Sequence, residues 1–385
     1  MSGKKKVVEN SILYIFSSLL VKAMGFLLLP IYTLFLTPDE YGLTNLVNSF
    51  TNVAVFIVGF SLYSAIVRFV ADYKHDKELL KNFYGTVMTF IIASGAFFIA
   101  IGIVFNDIVR KLFFDGITFY PIVLLALLLM VFLSLHAMHQ AMLQGMQKGR
   151  KLTILNLIVF ILTAGLKVVF IGVFDLGAVG FVLAQLIINI LYAFYVYYDL
   201  KRQDLVRLGI DKNVLRKSLR YSIPLMPHNL STRIAVFASR IFINNSGALA
   251  DVGLYSIATQ FGALIDTVQV AVNRAFQPWF YDILNKNDEK SKQEAIDMSS
   301  FLLIIYSFIY MIIGLFSQEV VIVMTSSDYT LAWTVIPILV VGYSIKSIYY
   351  FYVNVVMYYK KATKKLFLAT VTGSILDIFF AYILV

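Results

Sequence analysis

Seven charged side chains stand at mid-depth in long apolar runs of this chain: the cations Lys22, Lys167, Arg233, Arg240 and Lys346, and the acids Asp266 and Asp377. A charge at mid-bilayer depth costs about 2.5–3.5 kcal/mol on insertion scales. All seven facing lipid would cost on the order of 20 kcal/mol, more than the stability of a typical domain. Most must therefore face a bundle interior or a wet cavity. Arg233 and Arg240, seven residues apart, share one helical face, and Asn229 joins them four residues before Arg233. Two readings follow. Either one arginine pairs with Asp266 across a helix interface, or the cations form a basic wall facing an anionic cargo. One acid cannot neutralise both arginines.

The charges lie on polar stripes. Ser11, Ser18 and Lys22 share a face of the first run, and Asn45, Asn48 and Asn52 a face of the second. Tyr255, Thr259, Gly262, Asp266, Gln269 and Asn273 descend the eighth at three- and four-residue steps. Gly342, Lys346, Tyr350 and Asn354 do so in the tenth. Small polar residues also serve merely to pack membrane helices. Stripes that carry charges on matching helices favour a hydrated central cavity. The chain has no cysteine, which excludes disulfides, thiolate metal sites and cysteine nucleophiles. Its histidines are scattered, and His136 and His139, three apart, are expected to pack or hydrogen-bond rather than hold a metal.

The elements that must position these residues are membrane helices. Hydrophobic residues make up 60% and charged residues only 14% of the chain, and the mean hydropathy is +0.81, which excludes an ordinary soluble domain. Apolar runs fall at 10–36, 41–70, 83–105, 117–143, 153–174, 177–199, 222–245, 252–277, 298–316, 330–359 and 366–385, eleven candidate spans in all. The first is too long for a signal-peptide core and lacks a small-residue cleavage site. The net charge of +10 reflects topology and not nucleic-acid binding. Lys74, Lys77 and Lys81, then Lys148, Arg150 and Lys151, the segment 201–220, Lys286, Lys290 and Lys292, and finally Lys360, Lys361, Lys364 and Lys365 all fall on one side. The opposite loops carry mostly acids. The positive-inside rule then places the N-terminus in the cytoplasm of a multi-pass protein of the cell membrane.

The polar segment 201–220 divides a six-helix part, 1–200, from a five-helix part, 221–385. Its spacing of charges with Leu205, Val206, Leu208, Val214, Leu215 and Leu219 allows an amphipathic surface helix, or a solvated linker. Val385 ends within an apolar run, from which at least one further helix is expected. A shift of 211 residues lays Tyr41-Gly42-Leu43 on Val252-Gly253-Leu254 and Lys22 on Arg233; a shift of 214 lays Lys151-Leu152 on Lys365-Leu366. Two parallel halves of this kind bind cargo at mid-depth between them. Pro30, Pro224, Pro227 and Pro337 supply kinks in the helices that carry Lys22, Arg233 and Lys346.

Several short motifs together resemble the polysaccharide-export flippases of the MOP superfamily, the Wzx-type relatives of the MATE transporters. They are Asn10-Ser11, the run Pro38-Asp39-Glu40-Tyr41-Gly42-Leu43, the run Val252-Gly253-Leu254-Tyr255-Ser256-Ile257-Ala258, and Ala275-Phe276-Gln277-Pro278-Trp279. The resemblance implies an all-α, polytopic, MATE-like fold of two helix bundles in a V, related by a pseudo-twofold repeat. Its implied activity is transfer of undecaprenyl-diphosphate-linked oligosaccharide from the inner to the outer leaflet. Members often carry Asp before the arginine matching Arg240; here Ser239 stands there, leaving Arg240 freer for cargo. On this reading Lys22, Arg233, Arg240, Lys346, Asn229 and Lys167 bind the substrate, while Asp266 or Asp377 holds a coupling ion. Arginine grips two phosphate oxygens at once, which suits a diphosphate. The expected partners are the polyprenyl-diphosphate-linked oligosaccharide, membrane lipids, a polysaccharide polymerase and glycosyltransferases, with no nucleic acid and no cofactor. A MATE-like drug or cation antiporter is the alternative, disfavoured because cations outnumber acids. A membrane-embedded polymerase or acyltransferase is a second, disfavoured by short outer loops without a catalytic constellation, so no enzyme is expected.

Overall fold

The computed structural model describes residues 19–358 and 363–385. The start of the first span at Asn10, with Ser11 and Ser18, lies outside the described residues, as do Lys360 and Lys361. Every regular element among the described residues is helical. In chain order they are α1 (Leu19–Phe35), α2 (Pro38–Val58), α3 (Leu62–Tyr73), α4 (Lys77–Val104), α5 (Asn106–Phe113), α6 (Phe119–Gly145), α7 (Gly149–Gly172) and α8 (Gly177–Arg202). There follow α9 (Lys212–Ser222), α10 (Met226–Ser246), α11 (Leu249–Leu284), α12 (Glu289–Leu315), α13 (Ser317–Met324), α14 (Ile336–Tyr358) and α15 (Thr363–Leu384). The fold is an all-α polytopic membrane fold. Seven helices (α2, α4, α6, α7, α8, α12 and α14) are long and apolar enough to cross a bilayer. Polar residues such as Asn229, Arg233 and Arg240 dilute the apolar character of α10.

The predicted runs are helical but not all unbroken. The run 41–70 does not continue as a single helix: α2 stops at Val58, and Phe60 and Ser61 take left-handed φ of 45° and 54° before α3 begins. Pro30 sits in the first turn of the second part of α1, Leu29–Phe35, just after the interruption at Leu28. Missing a backbone N–H, proline is tolerated in a first turn and not within an unbroken helix.

The chain forms two compact units. The first holds Leu43–Leu249 and Val371–Val385 with the described residues before Lys22. Its core is assembled from α2, α3, α4, α6 and α8, where Leu46, Ile66, Phe83, Ile91, Leu129 and Met138 are fully buried, and α10 adds Leu230 and Phe237. At the ends of α7 and α8, Lys151 pairs with Asp199 at 2.7 Å. The second unit holds Lys22–Gly42 and Ala250–Thr370. There α12 packs on α14, and Phe276, Phe280 and Ile283 form a small core with Phe351, whose ring lies 5.2 Å from that of Phe276. Within this unit, residues equated by the 211-residue repeat meet directly: the Ala250 N–H donates to Asp39 Oδ1 at 3.1 Å.

Candidate functional site

In the first unit, Arg233 and Asn229 line a cavity of about 540 Å³ together with residues from three other helices. Asn52, Val55 and Phe56 come from α2, and Tyr63, Ser64 and Val67 from α3. The α6 helix supplies Leu133, His136, Ala137, Gln140, Ala141 and Gln144. Arg233 is the one charged residue of this lining, and no carboxylate belongs to it.

The break between α2 and α3 builds one wall. Val55 O accepts from the Gly59 N–H at 3.0 Å and also from the Tyr63 hydroxyl. A Cβ on Gly59 would fall 2.3 Å from Tyr63 Oη, so only glycine leaves the phenol room to reach that carbonyl. Tyr63 is thereby set edge-on to Phe56, their ring centres 5.4 Å apart. The Arg233 guanidinium lies over Phe56, 4.3 Å from the ring centre. That contact holds the cation by its attraction to the ring face, and leaves the N–H donors of the fork for a ligand. Asn229, one turn earlier, reaches Ser64 Oγ at 3.5 Å.

On α6 the polar wall is a chain of bonds. His136 Nδ1 donates to Asn189 Oδ1 at 2.9 Å, while Gln140 Nε2 stands 3.1 Å from His136 Nε2 and donates to Asn156 Oδ1 at 2.9 Å. The Asn189 oxygen calls for a proton on His136 Nδ1. His139 instead meets the Tyr192 hydroxyl at 2.7 Å in the packed interior. Gln140, Gln144, Tyr63 and Ser64 were absent from the set expected by sequence. The legible signal was the spacing of His136, Gln140 and Gln144, three polar residues at four-residue steps in a largely apolar helix.

The other expected residues lie elsewhere. Arg240 is turned into the interior of the first unit, 9% exposed, with its Nη1 3.5 Å from Val236 O. Lys167 rests on the Phe181 ring, 3.5 Å from its centre. Asp377 is exposed on α15 and makes no ion pair among the described residues. In the second unit, Lys346 pairs with Asp266 at 2.7 Å, and the Tyr350 hydroxyl donates to the same carboxylate at 3.1 Å. Asp266 thus takes its cation from α14 and not from α10. Asn354 donates to Asn273 at 2.7 Å and Gln269 to Tyr343 O at 3.1 Å, so the polar stripes of α11 and α14 bond largely to each other. Lys22 donates to Thr267 Oγ1 at 3.0 Å, a neutral hydroxyl.

Residues 7–284 match the family model described as polysaccharide biosynthesis protein. The Lsg locus putative protein 1 of Haemophilus influenzae is 23% identical over 361 residues, covering 92% of this chain and 86% of that protein. Among solved structures, an inward-facing multidrug resistance MATE family transporter of the MOP superfamily superposes with a TM-score of 0.70. It is 16% identical, over 94% of this chain and 86% of that one. A MOP superfamily transporter from Pyrococcus furiosus superposes at 0.55, 17% identical, over 99% of this chain and 94% of that one. That protein is described as having a binding pocket of reverse polarity, which suggests a different function for it. At such identities the likeness establishes the fold, that of MATE-type membrane transporters.

Proposed function

This chain belongs to the polysaccharide biosynthesis protein family, and on that premise we propose that it is a flippase for undecaprenyl-diphosphate-linked oligosaccharide. It carries the lipid-linked glycan from the inner to the outer leaflet of the cell membrane, with its N-terminus in the cytoplasm, and does so without covalent chemistry. The observation that carries the reading is the cavity of the first unit, where Arg233 is the one charge among amides, hydroxyls and an imidazole, with no acid. Such a lining attracts a phosphate and hydrogen-bonds a sugar; it repels the cationic drugs an antiporter handles. The reverse polarity ascribed to the Pyrococcus furiosus transporter agrees with a MOP fold serving another kind of cargo.

Arg233 takes the diphosphate, Asn229 its flanking oxygens, and Lys22 adds a second positive site in the other unit. Lys346 becomes available to an anion once its pair with Asp266 opens. Moving two negative charges out of an inside-negative cell releases roughly 4–5 kcal/mol per 100 mV. A coupling ion at Asp266 or Asp377 is therefore an addition and not a requirement. Deleting the gene should leave lipid-linked glycan on the inner leaflet and surface glycan missing. Restoring Lys22→Glu/Arg233→Glu should not rescue export; full export from that double reversal overturns the role of these cations.

A further inference from the structure

The segment after α8 is neither a loose linker nor part of the cavity. Its backbone lies on the third and fourth turns of α4: the Gly209 N–H donates to Thr89 Oγ1 at 3.0 Å and the Asp211 N–H to Thr86 Oγ1 at 3.1 Å. A Cβ on Gly85 would fall 1.9 Å from Arg207 O, so glycine is needed for this approach. Asp211 then caps α9, accepting from the Asn213 and Val214 N–H groups at 2.8 and 3.1 Å, and from Asn82 Nδ2 at 2.8 Å. At its far end α9 runs through the single turn Ile223–Leu225 into α10. The contacts to Asn82, Thr86 and Thr89 fall where the apolar run 83–105 of α4 begins, which sets α9 at headgroup depth.

The two faces of α9 differ. Towards the bundle, Ser218 and Ser222 are buried and Lys217 reaches the Tyr73 hydroxyl at 3.2 Å while lying over the Phe69 ring. The adjoining face presents Lys212, Arg216 and Arg220 at i, i+4 and i+8 and lines an open groove of about 500 Å³, whose floor is half-buried Leu215 and Leu219, the latter packed on the core. These three cations are exposed and have no ion pair among the described residues. No acidic residue occurs between Asp211 and Asp251 in the sequence. Exposed Leu208, Ile210, Ile223 and Leu225 flank the helix on either side.

We propose that this face of α9 binds the headgroups of anionic glycerophospholipids, the exposed Leu208, Ile210, Ile223 and Leu225 beside it entering the acyl boundary and the three cations meeting the phosphates. Charge complementarity and depth carry the choice of occupant. A cation near an anionic leaflet contributes to binding about as much as a fivefold change in affinity, so three amount to roughly 100-fold. The test is native mass spectrometry of the purified full chain in neutral detergent, offered phosphatidylglycerol and phosphatidylcholine in equal amounts. The chain should retain phosphatidylglycerol selectively, and Lys212→Gln/Arg216→Gln/Arg220→Gln should lose that preference while phosphatidylcholine retention stays unchanged. Swapping cation for cation in Lys212→Arg/Arg216→Lys/Arg220→Lys should keep it, which also shows that the helix tolerates replacement. Undiminished selectivity in the glutamine variant overturns the proposal. So does full displacement of the lipid by inorganic pyrophosphate at equal concentration, which would make the face a phosphate site and not a lipid surface.

Discussion

Replacing Arg233 by Gln removes the one charge from the cavity lining while keeping polarity and most of the side-chain length. A charge-assisted bond to phosphate contributes about 1.5–3 kcal/mol, so affinity for a prenyl diphosphate should fall roughly 10- to 150-fold. The position of the guanidinium, 4.3 Å above Phe56, adds a second expectation. At exposed sites such a contact is worth about 0.5–1 kcal/mol, and Phe56→Leu should therefore weaken binding only about two- to fivefold, by letting the fork wander. In Arg233→Gln the ring has no cation to hold, so adding Phe56→Leu should change little further. The double-mutant cycle should return a coupling close to the whole Phe56 effect. The assay is equilibrium binding of farnesyl diphosphate to the purified chain, with the monophosphate as comparison; loss of charge should narrow the preference for diphosphate. Unchanged affinity in Arg233→Gln refutes the site. Strict additivity of the two substitutions refutes the argument that Phe56 positions the cation.

Other expectations follow from the same geometry. Asp266→Asn leaves Lys346 without its carboxylate, whose side chain is 24% exposed against 43% for the lysine. That half-buried pair should cost about 1–3 kcal/mol on breaking, seen as a lower Tm in detergent, and Asp266→Asn/Lys346→Met should recover most of it. Gly59→Ala forces the new methyl against Tyr63 Oη and should destabilise by about 1–3 kcal/mol; adding Tyr63→Phe should restore part of the loss in thermal melts. Asp204 is held below the usual carboxylate range by its bonds to Lys81 and then Lys77. Its contribution is complete above the ordinary carboxylate pKa of about 4 and is lost as pH falls through the lowered value. Proteolysis within 203–211 should accordingly stay flat from neutral pH to about pH 4 and rise below it, and Asp204→Asn should raise it at neutral pH.

The fate of the candidate site residues shows where sequence reasoning stops. That Arg233 and Arg240 share a face of α10 follows from helical periodicity. Yet one stands in a cavity beside Phe56 and the other is buried in the packed interior, 9% exposed. Seven residues of rise carry the second about two turns along the axis, past whatever the neighbouring helices put there. The stripe on α11 was legible as well, but its partner was not: Asp266 selects Lys346 because α14 faces it. Gln140 and Gln144 stand at helical spacing, but a pair of amides in a largely apolar helix gains meaning only when Arg233 lies across from it.

Hydropathy and length by themselves determined the membrane helices and the all-α class, because in lipid the backbone must satisfy its own hydrogen bonds and a helix does so locally. Charge inside those runs determined that polar interiors exist. Only the tertiary structure decided which charges are spent on each other and which face a cavity. Periodicity names the face a side chain takes, whereas the opposing surface is set by contacts between helices distant in the chain. The left-handed turn at Phe60 and Ser61 belongs to that second class: it splits an unbroken apolar run and so places Tyr63 and Ser64 beside Asn229 and Arg233.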